Sequence, residues 1–531
     1  MSGGIVKSLA TVSGMTMLSR ILGFVRQILI AGVVGAGGNP VADAFWAAFR
    51  LPNMFRRLFA EGAFHAAFIP LFQGKLVGED AAEAKRFAEE TLAGLVFVLT
   101  LLTALVELFA PAFVYILVSG FEDEPEKFQL ATFYSRIMFP YLAFMSIVGL
   151  LSGILNSLGR FAASAAAPLA LNICMIIGLL SFASAEKEVV GEALAWSVFA
   201  GGVLQLAILS WGVHKQKFFP RLRVPKFTPG VKRLVVLGTP GFIGAGAMQI
   251  NLIIGTNIAS REPGAVSWLM NADQLYQLPL AVIGIALGVV LLPLLARRIK
   301  EGDEAGAASA INRSLEISAL LVFPAAVAFI IMSAPICDAL FRGLASDALS
   351  IFGGRQSAFN EDDVAKTGAA LALFGWGLPA FVWHKIFSPG FYAREDTRTP
   401  MNYALVSIVI NTVLALALFP VFGFLAVAFA TSVAAWAQVL LLAGTLYRQK
   451  RFKPSARLIS RIGRITAASA ALAVFLHFAL RYTDHLSTIF IDREWIATIA
   501  IAMAGGAFYG IAALVVGAAR LSDYKTLSGT K

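Results

Sequence analysis

Long apolar segments recur along the whole chain, and polar residues gather in the shorter stretches between them. A helix of about 20 residues spans the roughly 30 Å hydrocarbon core of a bilayer. Fourteen segments are long and apolar enough to do so, and they lie at 5–34, 41–72, 87–118, 128–157, 163–183, 190–213, 234–259, 266–296, 314–334, 367–392, 401–420, 422–447, 462–481 and 494–519. The pattern therefore predicts an all-α polytopic membrane protein.

The composition favours the same class. Of the 531 residues, 58% are hydrophobic and 14% are charged, whereas soluble domains carry about 25% charged residues. A soluble multi-domain protein is therefore disfavoured. The net charge of +11 would suggest nucleic-acid binding in a soluble chain, but here the positions of the charges are more informative than their sum.

Basic residues cluster in alternate connections between the predicted helices. Segments 214–233 and 448–464 each contain seven Lys or Arg residues and no Asp or Glu, whereas 120–129 on the opposite side is acidic. Cytoplasmic loops of membrane proteins are enriched in Lys and Arg. We therefore expect both termini in the cytoplasm, and we expect no nucleic-acid partner.

Weak internal similarity suggests two related halves. "ADAFWAAFRLP" at 42–52 is similar to "ADQLYQLP" at 272–279, and 139–161 is similar to 378–396. Such repeats are common in transporters. The predicted organisation is an N-terminal lobe of six helices at 1–213, a basic linker at 214–233, a C-terminal lobe of six helices at 234–447, a second basic linker at 448–461, two added helices at 462–519 and a tail at 520–531.

The second predicted helix carries charges inside a membrane span, where a charge has a high free-energy cost. Asp43, Arg50 and Arg57 are spaced by seven residues, and Glu61 follows four residues later. On one continuous helix these four side chains share a stripe about 27 Å long. Arg56 lies about 100° to one side of it.

The first and eighth predicted helices add Arg20, Arg26 and Asp273, so that five arginines face three carboxylates. These charges could neutralise one another and hold helices together, with Asp43 paired to Arg50 or to an arginine of the first helix. The excess of arginine disfavours this reading, because an unpaired charge at the bilayer centre costs at least about 2.5 kcal/mol. The set predicts a water-filled cavity that binds an anion, and guanidinium groups favour phosphate or carboxylate.

Other residues give weaker signals. We expect Glu316 to make a packing or gating contact, and the residues alone assign no role to Lys385. Cys174 and Cys337 lie far apart in apolar surroundings, so no disulfide is expected. No nucleotide-binding loop, zinc-protease motif or nucleophile elbow is present in the sequence.

Five stretches between residues 8 and 400 are similar to one known family. They read "SLATVSGMTMLSRILGFVRQ", "DAFWAAFRLPNMFRRLFAEGAFHAAFIP", "LSGILNSLGRF", "VSWLMNADQLYQLPLAVIGIALGVVLLPLL" and "PGFYAREDTRTP". On these residues the chain resembles the MurJ/MviN family, the bacterial lipid II flippases of the multidrug/oligosaccharidyl-lipid/polysaccharide (MOP) exporter superfamily.

The resemblance implies two pseudo-symmetric lobes around a central cationic cavity that works by alternating access. The implied substrate is lipid II, the undecaprenyl-diphosphate-linked peptidoglycan precursor, moved from the cytoplasmic to the periplasmic leaflet of the bacterial inner membrane. The two added helices would form a hydrophobic groove for the polyprenyl tail. The chain would then be a transporter of cell-wall biogenesis that affects cell shape, and not an enzyme.

The cavity residues of the family match seven positions of this chain, which are Arg20, Arg26, Asp43, Arg56, Arg57, Glu61 and Asp273. Arg50 on the charged stripe and Gln274 complete the predicted substrate-binding set. Gln274 and Gln277 stand where the family usually has an arginine and an acid. This part of the C-terminal lobe therefore cannot hold a diphosphate through a guanidinium fork.

A sodium site occurs in the C-terminal lobe of some members of the family. Here the helix interiors 234–259, 401–419 and 422–447 contain no carboxylate. Because a hard cation prefers charged oxygen ligands, we expect no metal and no other cofactor. The expected partners are lipid II, membrane lipids and potentially proteins of division or cell-wall synthesis, and the chain is expected to be a monomer.

Several other functions are compatible with parts of this pattern. The same fold could carry another lipid-linked oligosaccharide, or it could export drugs. A cavity for cationic drugs should be acidic or aromatic, and this one is predicted to be basic. A membrane glycosyltransferase would need acidic catalytic residues and a larger external domain, and a purely structural protein would tolerate loss of Arg57.

Overall fold

The structure is a computed structural model that describes residues 2–59, 63–78, 80–352, 356–489 and 493–519. In these ranges the chain forms α-helices joined by short connections, with no β-strand. The first ten helices are α1 (Ser2–Val34), α2 (Pro40–Phe59), α3 (Ala63–Gly78), α4 (Ala81–Leu108), α5 (Ala110–Leu117), α6 (Pro125–Met138), α7 (Tyr141–Ser157), α8 (Phe161–Ser181), α9 (Lys187–Lys215) and α10 (Pro229–Ala259).

The chain continues with a helix that is interrupted by a π-helical segment. The remaining helices are α11 (Ala265–Pro279), α12 (Ala286–Lys300), α13 (Glu304–Ile331), α14 (Ser333–Cys337), α15 (Ala345–Ile351), α16 (Glu361–Tyr392), α17 (Arg398–Phe422), α18 (Leu425–Arg448), α19 (Ala456–Ala479), α20 (Thr483–Ile489) and α21 (Glu494–Val515). The π-helical segment Leu280–Ile285 joins α11 to α12, and a second one, Asp338–Leu344, joins α14 to α15.

The predicted membrane-spanning segments are helical. Among the described residues, 11 helical spans are long and apolar enough to cross a membrane, and each overlaps one of the predicted segments. Of the other three predictions, 41–72 covers α2 and α3, 234–259 lies within α10, and 266–296 covers α11, the π-helical segment and α12. The all-α polytopic class is confirmed.

The chain divides into two compact units. Unit 1 comprises Met1–Ser267 and Ala345–Phe359, and unit 2 comprises Trp268–Leu344 and Asn360–Lys531. Helix α10 therefore packs within unit 1, although the sequence places 234–259 in the C-terminal lobe. The two lobes are predicted to move relative to each other during transport, whereas the two units are defined by packing. The division into lobes therefore stays a prediction.

Small residues let helices approach closely in unit 1. A Cβ on Gly201 of α9 would lie 2.9 Å from Cδ1 of Leu171 on α8, so only glycine permits this packing. Helix α7 ends at Ser157, Gly159 two residues later has φ +72°, and the N–H of Arg160 donates to the carbonyl of Leu155 at 2.8 Å. Glycine is favoured there because other residues adopt a positive φ only with strain.

Helix α16 is central to unit 2. Its start is a capping box, in which Asn360 accepts from the N–H of Asp363 at 2.8 Å and Asp363 accepts from the N–H of Asn360 at 3.2 Å. Helices α12, α13 and α18 bury apolar side chains against it. This fixes α16 at both its polar start and its apolar flanks.

The two added helices α19 and α21 are attached to α13. Glu316 on α13 is buried and accepts from Nη1 of Arg461 on α19 at 2.8 Å. On α21, the hydroxyl of Tyr509 donates to the carbonyl of Leu320 on α13 at 2.8 Å. Glu316 thus makes a packing contact, as expected from the sequence.

Candidate functional site

Arg26 lies on α1 within the candidate membrane span Thr11–Val34. Its Nη1 donates to Oδ1 of Asn172 at 2.8 Å and lies 3.7 Å from Sδ of Met175. The guanidinium carbon is 6.0 Å from the ring centroid of Phe49, at the limit of a cation–π contact. Nε is buried and has no hydrogen-bond partner. In the described part of the chain, every partner of this cation is therefore neutral.

Helix α1 itself positions the acceptor of Arg26. Nδ2 of Asn172 on α8 donates to the carbonyl of Ser19 at 3.0 Å. A Cβ on Gly23 would lie 3.7 Å from the Asn172 amide group, so α1 and α8 meet closely at this point. The amide oxygen of Asn172 is thereby turned toward Arg26. Nothing in the residue spacing singles out Asn172, and the sequence interpretation missed it.

The other predicted arginines whose side chains the structure describes lie on α1 and α2. Arg50 on α2 is half-buried and donates to the hydroxyl of Thr256 on α10. Nε of Arg56 donates to Oδ1 of Asn53 at 3.2 Å. Arg20 on α1 is exposed. Arg20, Arg26, Arg50 and Arg56 thus lie on α1 and α2, the helices to which the sequence assigned them.

Part of the predicted stripe cannot be followed in the structure. Glu61 and the side chain of Arg57 lie outside the described residues. The stripe predicted from Asp43 to Glu61 is therefore visible on α2 only, where Asp43 and Arg50 lie about two turns apart on one helix. The roles of Arg57 and Glu61 stay predictions.

Asp43 is fully buried, with an exposed fraction of 0%. Its Oδ2 accepts from the N–H of Gly264 at 2.7 Å, and its Oδ1 accepts from the N–H and hydroxyl of Ser267 at 2.9 and 2.6 Å. These donors surround the start of α11, where the helix dipole stabilises negative charge. Nζ of Lys127 lies 3.6 Å from Oδ2. We call Asp43, Gly264, Ser267 and Lys127 the Asp43 cluster.

Lys127 on α6 is the ionic partner that the sequence interpretation missed. It is 2% exposed, lies 2.7 Å from Oε1 of Glu124 and sits 5.1 Å from the ring centroid of Phe121. The sequence offered Arg50 or an arginine of the first helix as the partner of Asp43, and the structure replaces both with Lys127. Because Lys127 follows an acidic loop far along the chain, no periodicity relates it to Asp43.

The predicted residues of unit 2 form a smaller polar group. Gln277 donates from Nε2 to Oδ2 of Asp273 one turn earlier on α11. Asp273 and Gln274 are both half-buried. The carboxylate is therefore already engaged by a neutral neighbour on its own helix. Its contact with substrate, and that of Gln274, stay predictions.

An apolar cavity of about 820 Å³ lies along α19, α20 and α21 in unit 2. Phe475 and Phe508 stack at one wall with ring centroids 4.6 Å apart. The lining residues are Ala471, Val474, Phe475, Phe478, Ala479, Tyr482, Leu486, Ala500, Ile501, Ala504 and Phe508. This cavity occupies the helices for which the resemblance implies a lipid-tail groove.

The described residues contain no group of three or more His, Cys, Asp and Glu side chains that could hold a metal ion. Cys174 and Cys337 are free thiols. Asn411, one of the neutral oxygen donors in the helices considered for sodium, is 3.4 Å from the hydroxyl of Thr431. The polar groups of the described site are thus arginine, lysine, aspartate, amide and hydroxyl groups.

The fold is that of a polytopic transporter. A solved structure described as "Inward-facing conformation of a multidrug resistance MATE family transporter of the MOP superfamily" matches with a TM-score of 0.64 at 15% identity, over 83% of this chain and 97% of that one. Another, "Lipid II flippase MurJ, inward closed conformation", matches with a TM-score of 0.75 at 24% identity, over 95% and 98% of the two chains. At these identities the matches define the fold.

Sequence comparison defines the family. The profile of the family "Lipid II flippase MurJ" matches residues 30–494. The "Probable lipid II flippase MurJ" of Rhizobium meliloti is 44% identical over 527 residues, which is 98% of this chain and 95% of that protein. The "Lipid II flippase MurJ" of Burkholderia cenocepacia is 34% identical over 480 residues, 89% of each chain.

The chain belongs to the lipid II flippase MurJ family. The resemblance drawn from the five sequence stretches is confirmed. The protein is accordingly a multi-pass membrane protein of a bacterial flippase family, and the family name describes a transporter.

Proposed function

We propose that this protein translocates lipid II from the cytoplasmic to the periplasmic leaflet of the bacterial inner membrane by alternating access. Membership of the MurJ family supports the substrate. The basic segments 214–233 and 448–464 support a topology with both termini in the cytoplasm. We also propose that it works as a monomer and performs no covalent chemistry.

The observation that carries this proposal is the environment of Arg26. A guanidinium group on a membrane-spanning helix has an amide, a thioether and an aromatic ring as its partners, and its Nε is buried without one. A charge at this depth costs at least about 2.5 kcal/mol unless it is compensated. A diphosphate supplies both the missing charge and oxygen acceptors for the guanidinium fork.

The hydrophobic part of the substrate has a matching surface in unit 2. The cavity along α19–α21 is lined by apolar side chains, with the ring of Tyr482 among them. The tail is as apolar as the surrounding lipid, so the cavity would hold it by van der Waals packing and without any directional contact. We propose that this cavity receives the tail while the arginines of unit 1 hold the diphosphate. Arg20, Arg50, Arg56 and Arg57 belong to the proposed headgroup site.

Alternating access requires contacts that break and reform. The Asp43 cluster joins residues that the sequence assigns to different lobes, because Asp43 and Lys127 precede residue 213 whereas Gly264 and Ser267 follow residue 234. We propose that this cluster opens when the periplasmic side opens. The empty cationic carrier would respond to the membrane potential, since one charge moved through 100 mV changes free energy by about 2.3 kcal/mol.

A drug exporter is the second candidate, because the MATE transporter match covers most of the fold. The cations on α1 and α2 disfavour it, since exported drugs of that class are commonly cationic and would be repelled by Arg26. A flippase for another lipid-linked oligosaccharide keeps the same diphosphate chemistry. It differs only in the sugar, which no described contact distinguishes.

Growth rescue tests the proposal. A bacterium depleted of its own essential lipid II flippase should grow when it expresses this chain, and Arg26→Ala should abolish that growth at equal membrane abundance. Arg297→Ala is the matched control, because Arg297 is an exposed arginine that pairs with Glu301 at the end of α12. Rescue by Arg26→Ala, or failure of the well-expressed wild-type chain, would contradict the proposal.

A further inference from the structure

Lys385 lies inside the candidate membrane span Glu361–Tyr392. It is seven residues from the end of α16, or about 10 Å along the helix axis. Between Lys366 and Arg394 the sequence of α16 contains no other Lys, Arg, Asp or Glu. An ionisable side chain at such depth is rare, and it commonly marks a path for ions or substrates.

The stem of Lys385 lies against two glycines of the interrupted helix. A Cβ on Gly284, in the π-helical segment, would be 3.7 Å from Cγ of Lys385. A Cβ on Gly288, in α12, would be 3.3 Å from the Lys385 carbonyl oxygen and 3.9 Å from its Cβ. The backbone and stem of Lys385 thus pack beside two glycines of the interrupted helix. Such π-helical segments often occur at functional sites.

The Cα–Cβ direction does not favour extension of the Lys385 side chain toward the nearer membrane surface. In a helix the Cα–Cβ bond tilts toward the N-terminus, which for Lys385 is away from the nearer end of α16. A lysine that only avoided the lipid would extend toward that nearer end. The helix geometry therefore directs the first bond of the side chain away from the nearer end of α16.

No described residue neutralises Lys385. Its Nζ makes no hydrogen bond and no ion pair within the described part of the chain. Its neighbour His384 is occupied by the hydroxyl of Ser388, 3.2 Å from Nε2. Lys385 is half-buried, and its Nζ is not fully enclosed by protein atoms. The ammonium group thus has both the need for an anion and access to one.

We propose that Lys385 is a substrate-binding residue of unit 2 whose ammonium group contacts a phosphate oxygen of the lipid-linked diphosphate. This inference rests on the proposed function and deepens it. Lysine binds phosphate as a point charge and needs no bidentate geometry. It supplies positive charge to a unit in which Gln274 and Gln277 have replaced the charged pair of the family.

The test measures binding to the purified full-length protein in detergent micelles. Three probes are used. Undecaprenyl diphosphate carries both the tail and the phosphates, undecaprenol carries the tail alone, and inorganic diphosphate carries the phosphates alone. Lys385→Met keeps the stem and removes the charge, whereas Lys385→Arg keeps the charge. Lys300→Met is the matched control, because it removes an exposed positive charge from the end of α12.

We expect Lys385→Met to weaken binding of undecaprenyl diphosphate about tenfold, as loss of one charge-assisted contact should. Undecaprenol binding should not change, and Lys385→Arg and Lys300→Met should bind as the wild type does. Inorganic diphosphate should compete only weakly, because it lacks the tail.

Each other outcome is decisive. Unchanged diphosphate binding by Lys385→Met overturns the inference and leaves the proposed function standing. Equal loss of undecaprenol binding assigns Lys385 a packing role and also overturns it. Tight binding of inorganic diphosphate that depends on Lys385 identifies a site for a free anion instead of the lipid. Failure of the wild-type protein to bind undecaprenyl diphosphate overturns the proposed function and this inference together.

Discussion

Asp43 and Arg26 are two charges in unit 1 with opposite surroundings. Asp43 receives three hydrogen bonds and a lysine ammonium group, all from the protein. Arg26 receives only neutral partners in the described structure, and one of its nitrogens is buried without any. The sequence shows both simply as charges in apolar segments, so it cannot distinguish them.

We interpret the difference as that between a structural charge and the charge proposed to bind the ligand. Removal of one buried charge that the protein neutralises is destabilising, because it leaves the partner groups unpaired. A charge that the protein leaves uncompensated adds little to the stability of the fold. The free-energy cost of burying it is offset when an oppositely charged ligand binds. The comparison predicts that mutation of the two residues will affect different measurements.

The largest effect on stability is expected for Asp43→Ala. This substitution removes the acceptor of two backbone N–H groups and a hydroxyl, and it leaves Lys127 with Glu124 as its remaining carboxylate. Breaking such a buried pair costs about 3–5 kcal/mol. Thermal unfolding of the purified protein should show a clearly lower midpoint for this variant.

A double-mutant cycle makes the test specific. If Asp43 and Lys127 interact directly, the combination of Asp43→Asn with Lys127→Met should cost less than the sum of the single changes. Strict additivity would mean that the ion pair contributes nothing. It would also mean that Asp43 stabilises the protein only through its hydrogen bonds at the start of α11.

A smaller effect on stability is expected for Arg26→Ala. Its hydrogen bond to Asn172 contributes about 1 kcal/mol, and removal of an uncompensated charge offsets part of that loss. The unfolding midpoint should therefore stay close to that of the wild type. A fall as large as that of Asp43→Ala would show that Arg26 is structural, and it would remove the contrast between the two residues.

The smallest effect concerns Asp396, a half-buried analogue of Asp43 in the connection between α16 and α17. It accepts from the N–H and hydroxyl of Thr399 at 3.0 and 2.7 Å. The backbone hydrogen bond from Thr399 holds the pKa of Asp396 below its ordinary value. Its contribution to stability is therefore complete above the unfolded pKa, near 4, and is lost as the pH falls through the lower folded pKa.

Because Asp396 is partly exposed, this contribution should stay below about 1 kcal/mol. The unfolding midpoint of Asp396→Asn should fall less between pH 7 and pH 3 than that of the wild type. An equal fall in both proteins would show that the interaction with Thr399 has no energetic effect. Burial, and not the number of donors, would then explain the importance of Asp43 even more strongly.

The sequence predicts the helices well because membrane spans depend on local composition. The apolar runs located the spans, and the spacing of arginines located the cations on α1 and α2. The partners of those charges depend on packing between distant segments, as with Asn172 beside Arg26 and Lys127 beside Asp43. No local period encodes such contacts.

The same limit explains one further difference. The prediction of 41–72 as one span is not tested at residues 60–62, because α2 ends and α3 begins on either side of these undescribed positions. The π-helical segment Leu280–Ile285 has no signature in hydropathy. The sequence therefore left Lys385 without a role, because its two glycine neighbours become adjacent only in the folded unit.

Flipping of lipid II by the purified protein in liposomes measures the proposed activity itself. We expect the wild-type protein to move lipid II between leaflets and Arg26→Ala, although folded, to move it at least about tenfold more slowly. Arg297→Ala should match the wild type. Flipping by Arg26→Ala at the wild-type rate would contradict the claim that an uncompensated cation on α1 binds the cargo.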